Sequence, residues 1–160
     1  MGQGMGKWLL TLVMVVLLAA MPGALAVADP SPPLSADEQR ALELLNADRL
    51  GQGLAPLAVN NQLVQLARAH AQDMIDRNYA SHTNPEGQSP FDRMRLRGIS
   101  YRAAAENIAA DASVEDAQAA FMNSPGHRSN ILGVDFSEVG VGVRRAANGS
   151  VFVVQEFIGR

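Results

Sequence analysis

The chain has 160 residues, a formal charge of −3 and no cysteine. That length supports one domain with a proper core but not two, and the mixed, mildly acidic charge gives no electrostatic reason to bind nucleic acid or an anionic membrane surface. Without cysteine there is no disulfide framework, no thiol nucleophile and no cysteine-linked lipid, so stability has to come from packing.

Lys7 precedes an apolar run from Trp8 to Ala20, then Pro22, Gly23 and small residues ending in Ala24-Leu25-Ala26-Val27-Ala28. This is the pattern of a secretory signal peptide with its cleavage site. The run is shorter than the roughly 20 residues a membrane-spanning helix needs. Residues 1–28 are therefore expected to be removed on export, leaving a protein with no stable membrane anchor. Residues 29–34, with Pro30, Pro32 and Pro33, read as an extended linker, and the folded domain is expected over 35–160.

Ser35 and Glu38 form a capping-box pattern, and Leu42, Leu45 and Arg49 follow at helical spacing, with Gly51 placed to stop the helix. A second helix is expected from Asn60, because Leu63, Leu66, Ala67, His70, Ala71 and Met74 share one face. Asn78 reads as its left-handed stop. Ser89-Pro90 opens a short third helix through Met94 and Leu96. Tyr101 to Ala109 is less regular, and a short strand around Asn107 and Ile108 is expected there. Ser113 caps a further helix with Glu115 and Asp116 in its first turn. Pro125 and Gly126 end that helix, and a short helical turn runs from His127 to Leu132. Glu138 to Arg145 alternates Val139, Val141 and Val143 with Gly140 and Gly142, and Asn148-Gly149 then reads as a type I′ turn into a strand over 151–158. Either Val151 and Val153 or Phe152 and Val154 should face the core, according to register.

Three segments set an ionisable side chain among small or turn-forming neighbours. They are Ser81-His82-Thr83-Asn84-Pro85, Ala105-Glu106-Asn107-Ile108-Ala109 and Ser124-Pro125-Gly126-His127-Arg128-Ser129-Asn130-Ile131-Leu132. In this order, with Glu138-Val139-Gly140-Val141-Gly142-Val143 after them, they resemble the bacterial branch of the CAP superfamily, the SCP-like extracellular domain. The resemblance runs from about Leu42 to Phe157. It implies an α+β fold, an α-β-α sandwich with a small antiparallel sheet flanked by helices. It also implies that His82 and His127 face each other across a cleft with Glu106 beside them. Eukaryotic members carry a second glutamate three residues after a tryptophan on the helix before the second histidine. Here Phe121 stands at the tryptophan position and Ser124 at the glutamate position.

His82 and His127 are two of three histidines. Two imidazoles near a carboxylate suit either a divalent metal, most simply zinc, or acid–base chemistry near neutral pH. Glu106, flanked by alanines and an isoleucine, needs a partner. Glu138 is a candidate for the missing carboxylate, although a strand-edge charge facing water is the plainer reading. Ser124 counts as a residue of the cleft, but a Ser124–His127–glutamate triad is disfavoured because the serine precedes a proline in a capping context. His70, on the apolar stripe of its helix, is expected to be a core histidine bonded to a buried carbonyl. Arg128 is a candidate to hold Glu106 or Glu138 bidentately, and Asn123 and Asn130 are expected to bond turn backbone.

No His-Glu-x-x-His helix, Gly-x-Ser-x-Gly elbow or phosphate-binding Gly-x-x-x-x-Gly-Lys loop occurs. The resulting expectation is a secreted binding module whose cleft of His82, Glu106, His127, Glu138 and Ser124 takes an extracellular ligand, whether lipid, cell-wall component or protein. The alternative is a zinc-dependent hydrolase with His82 and His127 as metal ligands and Glu106 or Glu138 activating water. Mass spectrometry of the exported protein should find a first residue at or close to Asp29. A mature chain that retains Trp8 to Ala20 would instead point to a membrane anchor.

Overall fold

Helices begin in this chain where a polar side chain can accept their free N–H groups. The computed structural model describes residues 33–160, so the expected signal peptide, 1–28, and most of the linker, 29–34, lie outside the described residues. Ser35 and Glu38 form a reciprocal capping box at the start of α1 (Ala36–Gly51), and Asn60 accepts from the N–H groups of Gln62 and Leu63 to start α2 (Asn61–Asp76). Ser89 and Asp92 form a second capping box for α3 (Pro90–Leu96), with Pro90 in its first turn, and Ser113 caps α4 (Val114–Asn123). Past the end of α2, Asn78 takes the left-handed stop read from the sequence, with φ 54°.

The short helix α5 spans Pro125–Ile131, so Pro125 opens it and His127 sits inside its first turn rather than at its start. The strands are β1 (Ala58–Val59), β2 (Ala103–Asp111), β3 (Glu138–Arg145) and β4 (Val151–Gly159), in sheet order β1-β3-β4-β2. β3–β4 and β4–β2 are antiparallel, whereas the two-residue β1 runs parallel to β3, so the sheet is mixed and not wholly antiparallel.

β2 is a nine-residue strand where only a short one was expected. Its alanines carry little intrinsic strand signal, but every residue from Ala103 to Asp111 has a partner on β4. The hairpin also differs in detail. Gly149 has φ 89° while Asn148 is not in the positive-φ region, and type I′ needs both. Instead Gly149 N–H donates to the Ala146 carbonyl and Ala146 N–H to that of Ser150. This is a three-residue loop closed by a left-handed glycine.

The sheet lies between two helical layers. α1, α4 and α5 cover one face, where Leu45, Phe121 and Ile131 pack with Val139, Val141, Val151, Val153 and Phe157. α2 and α3 cover the other, where Leu63, Leu66 and Met94 meet Ile158, and Ala67, Ala71 and Met74 meet Val154. β4 is therefore covered on both sides, and both alternating sets of its residues face a core. Glu38, fully buried, fastens the layers by binding Arg68 Nε of α2 at 2.8 Å and Arg144 Nη1 of β3 at 3.1 Å. No helix among the described residues is long and apolar enough to cross a membrane.

The Gly-Val-Gly-Val pattern of β3 now has a physical reason. A Cβ on Gly140 would overlap the backbone at Leu63–Val64, and one on Gly142 the backbone at Ala67–Arg68, so α2 rests directly on the strand. Gly140→Ala and Gly142→Ala should each destabilise the domain by about 1–3 kcal/mol or more through overpacking, measured by urea unfolding.

Candidate functional site

β2 is an edge strand, and its alternation sends consecutive polar residues to opposite faces of the sheet. Glu106 points toward α2 and α3, and Asn107 toward α4 and α5. Each organises one histidine.

Glu106 is buried, its side chain only 1% exposed, yet its Oε1 accepts a hydrogen bond from His82 Nδ1 at 2.7 Å. His82 sits in the loop between α2 and α3 with its side chain 53% exposed. The second oxygen, Oε2, is bound by Arg93 Nη2 from α3. Arg93 also ties down the loop, because its Nη1 donates to the carbonyls of His82 at 2.7 Å and Gln88 at 3.1 Å. His70 is the core histidine expected, with Nε2 donating to the Ser81 carbonyl at 3.0 Å. The same nitrogen lies 3.9 Å from Glu106 Oε2, so His70 also forms the floor of the site.

On the other face Asn107 Nδ2 donates to the His127 carbonyl at 3.2 Å and to Gln155 Oε1 at 3.1 Å. Asn130 Nδ2 donates to Asn107 Oδ1 at 2.9 Å, and Gln155 continues to Gln118 and then Asp48. This amide chain fixes α5 against the edge strand, while the His127 ring stands edge-on to Phe121 with centroids 5.1 Å apart. Among the described residues the His127 ring nitrogens have no hydrogen-bond partner. Phe121 thus does at this position what a flat apolar wall does, holding the imidazole from one side.

The electrostatics separate the two imidazoles. The hydrogen bond and charge of Glu106 raise the His82 pKa above the usual histidine value, against burial and the Arg93 charge. His127 is lowered, by burial first and then by the charge of His82, so the two rings lie within electrostatic reach of each other. Burial and the Arg93 charge lower His70. Burial opposes ionisation of Glu106, but its hydrogen bonds and the charges of Arg93 and His70 outweigh that, and its pKa falls below the usual value.

Two residues expected at this site stand elsewhere. Glu138 is two strands away on β3, paired with Ile158, and its carboxylate is taken by Asn60 Nδ2 and by Arg160 Nε at 2.6 Å. It is the strand-edge charge of the plainer reading and does not replace the missing glutamate. Ser124 lies at the junction of α4 and α5, makes no side-chain cap bond, and its hydroxyl reaches neither histidine nor Glu106. Arg128 is exposed and holds neither glutamate, since Arg93 binds Glu106 and Arg160 binds Glu138.

Two residues of the site escaped the sequence reading. Arg93 shares the buried face of α3 with Pro90 and Met94, at i, i+3 and i+4, and a cation on such a face is its signal. Glu156, fully buried and directly opposite Glu106 on β4, stands with Gln155 as the two polar residues of a strand that is otherwise apolar or glycine. A hollow of about 320 Å³ opens beyond Arg93, lined by His70, Asp73, Arg77, Glu86 and Arg97 among others, but it includes neither His82 nor His127.

A resident metal ion does not suit this donor set. Among the described residues no group of three or more His, Cys, Asp or Glu side chains is placed to hold one. Both Glu106 oxygens are occupied, and the free donors are one nitrogen of His82 and the ring of His127, short of the three protein ligands of a catalytic zinc.

An α-β-α sandwich with an exposed histidine bonded to a buried glutamate on the edge strand, and a second histidine after Pro-Gly, defines an SCP-type domain. The family model described as CAP, the cysteine-rich secretory protein family, matches residues 42–157, and the chain belongs to this family. It is 47% identical over 128 residues to the uncharacterized protein YkwD of Bacillus subtilis, a match covering 79% of this chain and 49% of that protein. An extracellular protein containing an SCP domain from Bacillus anthracis is similar in structure, with TM-score 0.71 and 33% identity over 81% of this chain and 45% of that one. The chain thus spans about half the length of these relatives. NaASP2, crystallised with Zn2+, shares the fold at 15% identity and TM-score 0.52, covering 81% of this chain and 82% of that one.

Histidine NMR titration should give His82 a pKa above about 6.5 and His70 and His127 values below it; Glu106→Gln should bring His82 down. The linkage signs differ. The depressed His70 contributes stability that is present above its unfolded value of about 6.5 and lost as pH falls. The raised His82 contributes stability that is present below about 6.5 and lost as pH rises through its folded pKa. Arg93→Met strands a buried carboxylate and should cost about 3–5 kcal/mol in urea unfolding.

Proposed function

We propose that this chain is a secreted CAP domain that works as an extracellular binding module, with the exposed edge of His82 and the ring of His127 as its recognition surface and Glu106 as the buried anchor. The observation that carries this reading is the division of the His82 ring. Nδ1 is committed to Glu106, which Arg93 holds in turn, so Nε2 is aimed by a rigid support and has no hydrogen-bond partner among the described residues, and the His127 ring, packed on Phe121, has none there either. With its pKa raised by Glu106, His82 keeps its proton to higher pH than His127, whose pKa is lowered, so the two rings offer a readier charge-assisted donor and a readier neutral donor–acceptor. That pairing suits a ligand presenting an anionic or carbonyl oxygen, as lipid headgroups, cell-wall peptides and protein surfaces all do. No hydroxyl is hydrogen-bonded to either imidazole among the described residues, so the arrangement lacks an activated nucleophile.

The zinc-hydrolase reading draws on the Zn2+ in NaASP2, but here it would rest on two imidazole nitrogens. Such a site would be weak and would lose affinity as pH falls through the histidine range.

Binding should be measured with purified peptidoglycan, with phosphatidylglycerol vesicles and with Zn2+ alone, for the wild type and for His82→Ala and His127→Ala. Support for the module is binding of peptidoglycan or vesicles that drops at least roughly tenfold, about 1.4 kcal/mol, in both variants. Equal binding by variants and wild type would remove the histidines from the recognition surface. Tight, stoichiometric Zn2+ uptake abolished by both substitutions would transfer the case to the metal enzyme.

A further inference from the structure

β2 and β4 place Glu106 and Glu156 directly opposite each other in an antiparallel ladder, with both side chains on the α2/α3 face. Opposed residues in such a ladder bring their side chains within contact range. Glu106 is nearly and Glu156 wholly inaccessible to solvent. Two carboxyl groups in this setting need either two cations or a proton, because like charges side by side in a poorly solvated site cannot both ionise.

The groups facing the pair can be named from each packed element. From α2 comes His70, held by the Ser81 carbonyl, and from the loop His82, held by Glu106 Oε1. From α3 comes Arg93 and, from the residue just past its end and by charge alone, Arg97. Arg93 Nη2 is committed to Glu106 Oε2 and approaches Glu156 Oε1 only to 3.8 Å, outside hydrogen-bond range. Neither oxygen of Glu156 meets any donor. An ionised carboxylate left this way would carry several kcal/mol of uncompensated desolvation. A protonated one can donate to the only strong acceptor opposite it, and that is Glu106.

We propose that Glu156 is a neutral carboxylic acid that donates a hydrogen bond to Glu106 and serves as a positioning residue, keeping Glu106 the single anion of the cluster and aimed at His82. The O–H proton stays on Glu156, and no bond to heavy atoms forms or breaks. Burial, then the Glu106 charge and the hydrogen bond between the carboxyls, push Glu156 well above the usual carboxylate range, while the same hydrogen bond helps to lower Glu106. The inference rests on the His82–Glu106 pair and is independent of what that pair binds, so loss of ligand binding in the histidine variants leaves it untouched.

The first test uses the unaltered protein. Carbon-13 NMR of the glutamate carboxyls should find Glu156 still protonated at pH 7, with Glu106 ionised below the usual range. Ionisation of Glu156 near about 4.3 would overturn the proposal. The second compares Glu156→Gln, which keeps a donor and has no charge, with Glu156→Leu, which has neither donor nor charge. Glu156→Gln should leave the His82 pKa within about 0.3 unit of wild type; were Glu156 ionised, removing that charge would lower His82 by roughly a unit. Glu156→Leu should raise the pKa of Glu106, so that the His82 ring signal reports loss of its partner at higher pH, and Glu156→Gln should restore the wild-type profile. If the leucine variant titrates like wild type, Glu156 only fills space.

Discussion

The pairing of β2 with β4 is the constraint on which the rest of the site depends. It sets Glu106 opposite Glu156 and Asn107 opposite Gln155, an acid pair on one face of the sheet and an amide pair on the other. Side chains alternate with period two, so a slip of one residue would exchange the faces, pushing Glu106 among the amides and Asn107 against Arg93. Neither layer could satisfy the exchanged group. The register is held from both sides, because β4 is buried throughout and the adjacent β3 is pressed against the α2 backbone at Gly140 and Gly142. Packing of apolar residues and two glycines therefore decides where a carboxylate meets a histidine.

An edge strand also lets each face of the sheet hold one of the two histidines at an open margin. In the middle of the sheet, residues on the two faces would be separated by the sheet itself. Among the described residues no strand pairs beyond β2, and there Glu106 holds the loop carrying His82 while Asn107 holds the helix carrying His127. Each is fixed by a different chemistry. The first is held by charge-assisted bonds through Glu106 and Arg93, the second by a run of neutral amides from Asn107 to Gln118. Charge-assisted bonds are the stronger kind and shift pKa values, and the neutral network leaves the charge state of its histidine to burial. The opposite shifts of His82 and His127 follow from that difference.

How much of this the sequence discloses depends on how local the cause is. Caps are local, and Ser35, Asn60, Ser89 and Ser113 all start the helices they announce. The apolar face of α2 is local too, and it placed His70 in the core. β2 is not local. Its alanines say little, and its length comes from a partner about fifty residues away. Glu138 was misplaced for a related reason, since an acid at the start of a strand reads the same whether it faces a cleft or, as here, Asn60 and Arg160. Arg128 is the candidate the sequence offers for Glu106 or Glu138, whereas the partner of Glu106 is Arg93, and the cue for it is a cation on the buried side of a short helix.

The substitution of serine at position 124 takes on meaning in this light. An acid there would add a carboxylate beside His127, near a cluster that already holds two carboxyls against the single guanidinium of Arg93, whose Nη1 and Nη2 are bonded and whose buried Nε meets no acceptor among the described residues. Charge balance inside the cluster is met by Arg93 and by the proton assigned to Glu156, while the His82 ring, its pKa raised by Glu106, is exposed to solvent. With a serine at 124, the carboxylate partner of the His82 ring is the buried Glu106, bound at Nδ1, and the Nε2 edge is left toward solvent. Under the proposed reading, the free edge of the His82 ring, backed by the buried Glu106, would meet an acceptor brought by the ligand rather than one supplied by the domain itself.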